Sequence, residues 1–154
     1  MKNLITPAEV IEIAFAANDQ IDRSVITENR IEAAQLKFLA PRLRKMYDAL
    51  TEGKYDSFNL TYIKPALAHF VRYAVFLNLS VHIGNKGTVR TKTIDATVAT
   101  PAETGILRRE AREAANALLE RAIDYLRKNA GEFPEFCPEK CRRRRVRVNG
   151  GIVL

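Results

Sequence analysis

The chain of 154 residues contains no tryptophan, only two cysteines and only two histidines. Two cysteines cannot build a disulfide framework, and the C-x-x-x-C spacing of Cys137 and Cys141 supplies only half of a tetrahedral zinc shell. With so few sulfur and imidazole ligands, the sequence offers no complete zinc site. We therefore expect neither a metal ion nor another cofactor.

A catalytic set of residues is also missing. An enzyme of this size should show a nucleophile with a base, a group of metal ligands or paired carboxylates. His69 falls within the apolar pattern of a helix, where we expect a packed, hydrogen-bonded core histidine, and His82 falls in a β-type segment as a surface or contact residue. Residues 84–88 (GNKGT) lack the spacing of a phosphate-binding loop and predict a turn. We predict that the protein is not an enzyme.

Long apolar runs are absent as well. No stretch approaches the ~18 consecutive apolar residues that a membrane-spanning helix needs. The first seven residues (MKNLITP) lack the apolar run of a signal peptide. We therefore expect no membrane association, and we expect the chain to stay in the cytoplasm in which it is made.

Positive charge is abundant but unevenly placed. The chain has a net charge of +7, of which residues 137–154 carry +5, with six basic residues and one acidic residue. Pro134 and Pro138 prevent a helix from continuing here, so we predict an extended basic tail after a helical domain formed by residues 1–136. Guanidinium clusters pair with phosphates or carboxylates, and short β-type runs can add a strand to a partner's sheet. The candidate docking residues of the tail are Arg142, Arg143, Arg144, Arg145, Val146, Arg147 and Val148.

Helix signals fill most of the first 136 residues. The tetrads Thr6-Pro7-Ala8-Glu9 and Thr100-Pro101-Ala102-Glu103 are capping boxes with proline at the first helical position. The second box predicts a long helix that ends near Asn129. Thr27 can cap another helix, which Pro41 breaks or restarts.

The segment from Leu60 to Leu77 is the most apolar. Its two apolar stripes predict a helix surrounded by protein, kinked near Pro65, at the centre of the fold. In the long last helix, the apolar stripe begins at Leu107, and its many alanines permit close approach of another helix. The predicted fold class is mainly α, a bundle of about four to five helices with a projecting β-hairpin or long loop.

The hairpin is predicted within residues 80–99, where Val, Thr and Ile replace Leu and Ala. A two-stranded hairpin alone is marginal in water, so this arm either lies on another molecule or folds back onto its own helices. Both interpretations remain open from the residues alone. The candidate contact residues of the arm are Val81, His82, Ile83, Asn85, Lys86, Val89, Arg90 and Lys92.

Four local patterns follow one another within residues 4–136. They are residues 31–39 (IEAAQLKFL) running into Pro41, residues 62–73 (YIKPALAHFVRY), residues 84–87 (GNKG), and a long Ala-rich helix ending in Phe133-Pro134. In this order they resemble the small helical head-tail connector (adaptor) proteins of tailed bacteriophages and prophages. These patterns are structural rather than catalytic, and the tail from Cys137 onward is not part of the resemblance.

The resemblance implies a structural virion protein at the head-tail interface, made in the cytoplasm of a bacterial host. It implies a homo-oligomer, a ring of about a dozen copies (a dodecamer) that closes through a heterologous interface. The portal protein and a downstream tail or stopper protein are the implied partners. Genomic DNA would pass through the ring during packaging and ejection without sequence-specific contact.

Within this interpretation, we assign the two unusual segments to two interfaces. The arm at residues 80–99 would lie on the next subunit of the ring. A dozen tails of +5 lining a channel would hold DNA by counterion release, so we place the tail away from the channel, docked on the portal. The alternative function is a small basic nucleic-acid-binding protein that uses the tail as a phosphate clamp.

Overall fold

The computed structural model of the chain describes residues 2–16, 19, 21, 23–84, 87–90 and 100–136, with the backbone alone for 77–84 and 87–90. The whole basic tail, residues 137–154, lies outside the described residues. So do Asn85, Lys86 and Lys92 of the arm. The sequence predictions for these positions therefore stay predictions.

The described residues form a mainly α-helical bundle, which confirms the predicted fold class. Two π-helical turns, Gln35–Leu39 and Asn59–Ile63, join α2 to α3 and α5 to α6, so the described helices make five rods. A 3₁₀ turn at Arg23–Val25 follows α1. The elements are α1 (Pro7–Ala14), α2 (Glu28–Ala34), α3 (Ala40–Leu43), α4 (Lys45–Thr51), α5 (Asp56–Phe58), α6 (Lys64–Ser80), β1 (Val81–Gly84), β2 (Gly87–Arg90) and α7 (Pro101–Lys128).

Both predicted capping boxes are present. The backbone N–H of Glu9 donates to Thr6 Oγ1 at 3.3 Å, and Glu9 Oε2 accepts from the backbone N–H of Thr6 at 2.8 Å. Thr100 and Glu103 repeat this exchange at 3.2 and 2.8 Å. Thr27 occupies the position before α2, but its side chain makes no capping hydrogen bond. Side-chain capping was therefore predicted correctly at two of these three helix starts.

The two prolines that interrupt helices stand at the same place relative to a π turn. Pro41 comes two residues after Leu39, and Pro65 comes two residues after Ile63, the last residues of the two π turns. Proline has no N–H with which to continue the α-helical pattern. The helix widens instead, and the N–H of Ala40 bonds the carbonyl of Gln35, five residues earlier. Near Pro65, the predicted kink is a π turn.

Pro41, where the sequence predicted that the second helix breaks or restarts, does not end that helix. The rod passes Pro41 and ends only at Leu43, because Arg44 has φ 54° and ψ −122°. A positive φ turns the chain out of the helix, and only glycine adopts it without steric cost. The break therefore lies at a residue that gives no sequence signal for it.

The central position predicted for α6 is confirmed. It packs against α1, α2 and α7, and its buried residues include Leu67, Phe70 and Val71. The ring of Phe38 stacks on that of Phe70 with centroids 4.5 Å apart. Two residues of the predicted apolar stripes are not core residues, since Leu60 is 63% exposed and Leu107 is 44% exposed. The stripes thus extend beyond the region that the bundle covers.

Gln35 is a fully buried polar residue that ties the N-terminal segment to the bundle. Its Oε1 accepts from the backbone N–H of Leu4 at 2.7 Å, and its Nε2 donates to Tyr47 Oη at 3.3 Å. Burying an amide costs free energy unless its hydrogen bonds are made inside the protein. These two bonds satisfy that need and fix the approach of residues 2–6 to α4.

Candidate interaction surfaces

The bundle has two ends, set by the antiparallel pairing of α6 with α7. The rings of Tyr62 and Tyr125 stack at 4.6 Å, while the guanidinium of Arg108 lies 4.7 Å from the centre of the Tyr73 ring. Because residue numbers rise along α6 as they fall along α7, the end of α6 and the start of α7 lie together. We call this the hairpin end. The opposite end, where α5 meets the end of α7, is the tail end.

The predicted arm leaves the bundle at the hairpin end. β1 continues directly from α6, and the two strands pair antiparallel, with Val81 opposite Arg90, His82 opposite Val89 and Ile83 opposite Thr88. No third strand pairs with them among the described residues. Within that part of the chain, the substantial contact of the hairpin is with α6 alone. Within the described residues, both backbone edges of the ribbon are therefore unpaired, and each can pair with a further strand.

The start of α7 carries an exposed apolar surface, of which Leu107 belongs to the predicted apolar stripe. None of the first ten residues of α7 is buried, and Ile106 is 53% and Leu107 44% exposed. Measured from the Tyr62–Tyr125 pair, α7 runs about six residues further toward the hairpin end than α6 does, roughly 9 Å of helix. This overhang is residues 101–106, which includes Ile106, and Leu107 lies level with the end of α6.

Arginines cover aromatic rings near the same end. Arg108 and Arg112 both lie over Tyr73, and Arg72 lies over Phe15 while donating to the carbonyl of Ala14 at 2.9 Å. Such contacts attract a cation to the face of a ring. They hold the guanidinium groups against the bundle, so these arginines extend its apolar surface with their stems.

His69, predicted as a packed, hydrogen-bonded residue, is half-buried on α6. Its Nδ1 is buried without a hydrogen-bond partner among the described residues. Burial, and then the neighbouring charge of Arg72, lower the pKa of His69 below its ordinary value of 6.5. The imidazole is therefore neutral near pH 7. No group of three potential metal ligands occurs in the described part of the chain.

An aromatic cluster that the sequence analysis did not identify forms the tail end. Its members are Tyr55, Phe58, Tyr62, Tyr125 and Phe133, with neighbouring ring centroids 4.6 to 6.0 Å apart. Beyond α7 the chain folds back, which buries Phe133 and Phe136. The segment that leads into the basic tail is thereby fixed to the bundle. The spacing of Tyr55, Phe58 and Tyr62 at three and four residues was the available signal.

A surface groove of about 410 Å³ lies beside this cluster, between Asp56 on α5 and Glu132 after α7. We call it the aromatic groove. Neither of these exposed carboxylates forms an ion pair with another described residue. In contrast, the carboxylates of a second groove nearby are engaged, Glu120 by Arg42 and Asp124 by Arg127.

A short hydrogen bond closes the tail end. Tyr55 Oη donates to Glu135 Oε2 at 2.6 Å. This bond is the main reason that the pKa of Glu135 lies below its ordinary value of 4.5. A lowered carboxyl pKa stabilises the fold above the pKa of the unfolded chain, and that stabilisation is lost as the pH falls through the lowered value.

We expect the substitution Tyr55→Phe to raise the pKa of Glu135 toward its ordinary value, because it removes the hydroxyl donor. The thermal midpoint should fall at neutral pH, and the difference from the unsubstituted chain should shrink as the pH drops below about 4. NMR titration of the Glu135 carboxyl and melting curves from pH 2 to 7 measure both effects. A pKa of Glu135 that is unchanged by the substitution would contradict this assignment.

None of the helices in the described residues is both long and apolar enough to span a membrane.

The chain matches a known protein family. The model of a family of unknown function (DUF6712) matches residues 29–146, from α2 through α7 and into the basic tail. No curated protein matches the chain. No solved structure matches it.

Proposed function

We propose that this chain, which belongs to the DUF6712 family, is the structural subunit of a ring of the bacteriophage head-tail connector type. The observation that carries the proposal is the composition of the hairpin end. A two-stranded ribbon, whose edges pair with no other described strand, lies there at the same end of the bundle as the exposed apolar pair Ile106 and Leu107. In this role the protein is a virion component made in the bacterial cytoplasm. It has no catalytic task.

The hairpin end has the chemistry of an interface between copies. A two-stranded ribbon is marginal in water unless it packs on a further surface. In a ring, the ribbon of one subunit lies on the next, and a repeated heterologous contact of this kind closes when its rotation does. Ile106 and Leu107 supply apolar area at the same end of the bundle, where burial against a neighbour would add to backbone pairing.

The tail end would serve different partners. α7 has 28 residues and is about 42 Å long, so Phe136, at the root of the tail, lies far from the hairpin. Two interfaces at opposite ends of one bundle suit a protein between a portal and a downstream tail or stopper protein. We propose that the arginine-rich tail docks on the portal and that DNA passes the ring without sequence-specific contact.

The test replaces residues 81–90 with a Gly-Ser segment of the same length. We expect the variant to remain a folded monomer by circular dichroism and mass photometry, while the unsubstituted chain, alone or with its portal, forms rings in negative-stain images. Leu60→Ser is the control, because it alters an exposed apolar residue in the π turn Asn59–Ile63, away from the hairpin end. Rings of unchanged stability in the hairpin variant would contradict the proposal.

The alternative, a small nucleic-acid-binding protein, is favoured by the net charge of +7. The full chain would then bind arbitrary duplex DNA as a monomer, with an affinity that falls steeply as salt rises. The same preparations decide between the two functions, since the alternative requires no ring and no effect of the hairpin.

A further inference from the structure

We propose that the aromatic groove is the docking site for the arginine run of the chain's own tail, residues 142–145, before the chain binds another partner. This inference does not depend on the ring, and it would hold equally for a monomeric protein. It concerns a site at the tail end, remote from the hairpin and from Ile106 and Leu107.

The groove has the composition of a guanidinium receptor. Its walls include Tyr55, Tyr62 and Tyr125, which are half-buried, and its rim carries the carboxylates of Asp56 and Glu132. Tyr62 and Tyr125 stack on each other, and the guanidinium of Arg121 already lies 5.5 Å from the centre of the Tyr62 ring. A guanidinium group stacks on aromatic faces and pairs with carboxylates in the same geometry. The described residues that line this groove include no lysine or arginine.

The carboxylates of the aromatic groove form no ion pair with another described residue, whereas those of the second groove are already paired. Lys54, the nearest cation along the chain, pairs with Glu52 at 3.1 Å and approaches Glu135 at 3.9 Å, leaving Asp56 and Glu132 without an ion pair among the described residues. In the second groove, Arg42 and Arg127 already occupy the carboxylates. An incoming cation therefore gains most in the aromatic groove.

The tail is long enough for the arginines of this same chain to reach the aromatic groove. Phe136 is 7% exposed, and its backbone N–H donates to the carbonyl of Phe133, a residue that lines the groove. The described chain therefore ends at Phe136, beside the site. Six further residues, which span at most about 20 Å, bring Arg142 back to it. The net charge of +5 on residues 137–154 complements the acidic rim.

The experiment measures how fast trypsin cleaves the full chain after residues 142–145, by intact-mass spectrometry at low salt. We expect the double variant Asp56→Asn/Glu132→Gln to be cleaved about five- to tenfold faster than the unsubstituted chain, because the docked arginines lose their carboxylates. Salt at 0.5 M should abolish the difference. Glu132→Gln alone, which lies outside every helix, should show a smaller increase.

The control variant Glu110→Gln/Glu113→Gln makes the same change of net charge on exposed residues of α7. Its cleavage rate should equal that of the unsubstituted chain. Equal rates in all variants, or faster cleavage in the control as well, would overturn the proposal. Protection should also be constant from 1 to 100 μM protein, and protection that disappears on dilution would instead place the tail of a second copy in the groove.

Discussion

Replacing Phe70 by alanine is expected to lower the free energy of unfolding by about 3–5 kcal/mol. Phe70 is 1% exposed at the middle of α6, the helix that contacts α1, α2 and α7. Its ring stacks on Phe38 with an interplanar angle of 7°, so its removal leaves a cavity and deprives Phe38 of its partner. The total free energy of unfolding of a domain of this size is about 5–15 kcal/mol, so much of its stability depends on this one ring.

Urea and thermal melts followed by circular dichroism measure this loss. Leu60→Ala removes an apolar side chain from the same rod, but from a position 63% exposed, and should change the free energy of unfolding by less than about 0.5 kcal/mol. A loss below about 1 kcal/mol for Phe70→Ala would show that α6 is not the centre of the core.

The second large effect is expected at the start of α7. The double substitution Ile106→Asp/Leu107→Asp places two charges on the surface that we assign to the contact between copies. Burying unpaired carboxylates is costly, so ring assembly should weaken at least about 100-fold in apparent dissociation constant. The monomer should keep its melting temperature within a few degrees, because both side chains are already exposed in it.

Mass photometry across a dilution series measures the assembly, and thermal melts measure the monomer. Leu36→Asp/Leu60→Asp introduces the same charges at two other exposed leucines, which are 47% and 63% exposed, and should leave assembly unchanged. If the α7 variant assembled at the same concentrations as the unsubstituted chain, Ile106 and Leu107 would not belong to the interface. This conclusion would hold independently of the result for the hairpin variant.

Much of the fold could be predicted because its signals are local. A capping box needs only four residues, so the starts of α1 and α7 were found to the residue. The two apolar stripes of α6 similarly predicted a helix covered on several sides. The break at Arg44 could not be predicted this way. Arginine is not a residue type that indicates a positive φ, so the sequence carries no signal for the turn at this position.

The surfaces were harder to predict than the core, since exposure depends on which neighbours a residue meets in the folded chain. Leu107 continues the apolar stripe of α7 without interruption, yet it is 44% exposed. The aromatic cluster joins Phe58 to Phe133, residues 75 positions apart that no helical periodicity relates. The hairpin, in contrast, was predicted from its β-type composition, and its described strands pair in one register.

Each of the two π turns sets the angle, about the helix axis, between the faces of the two helices that it joins. A π turn holds one residue more than an α turn, and one residue corresponds to about 100° of rotation around a helix. Deleting a single residue from Asn59–Ile63 would rotate α5 by that angle relative to α6 and carry Phe58 away from Phe133. The extra residue before Pro65 is therefore what allows one continuous rod to contribute both to the central core and to the aromatic cluster at the tail end.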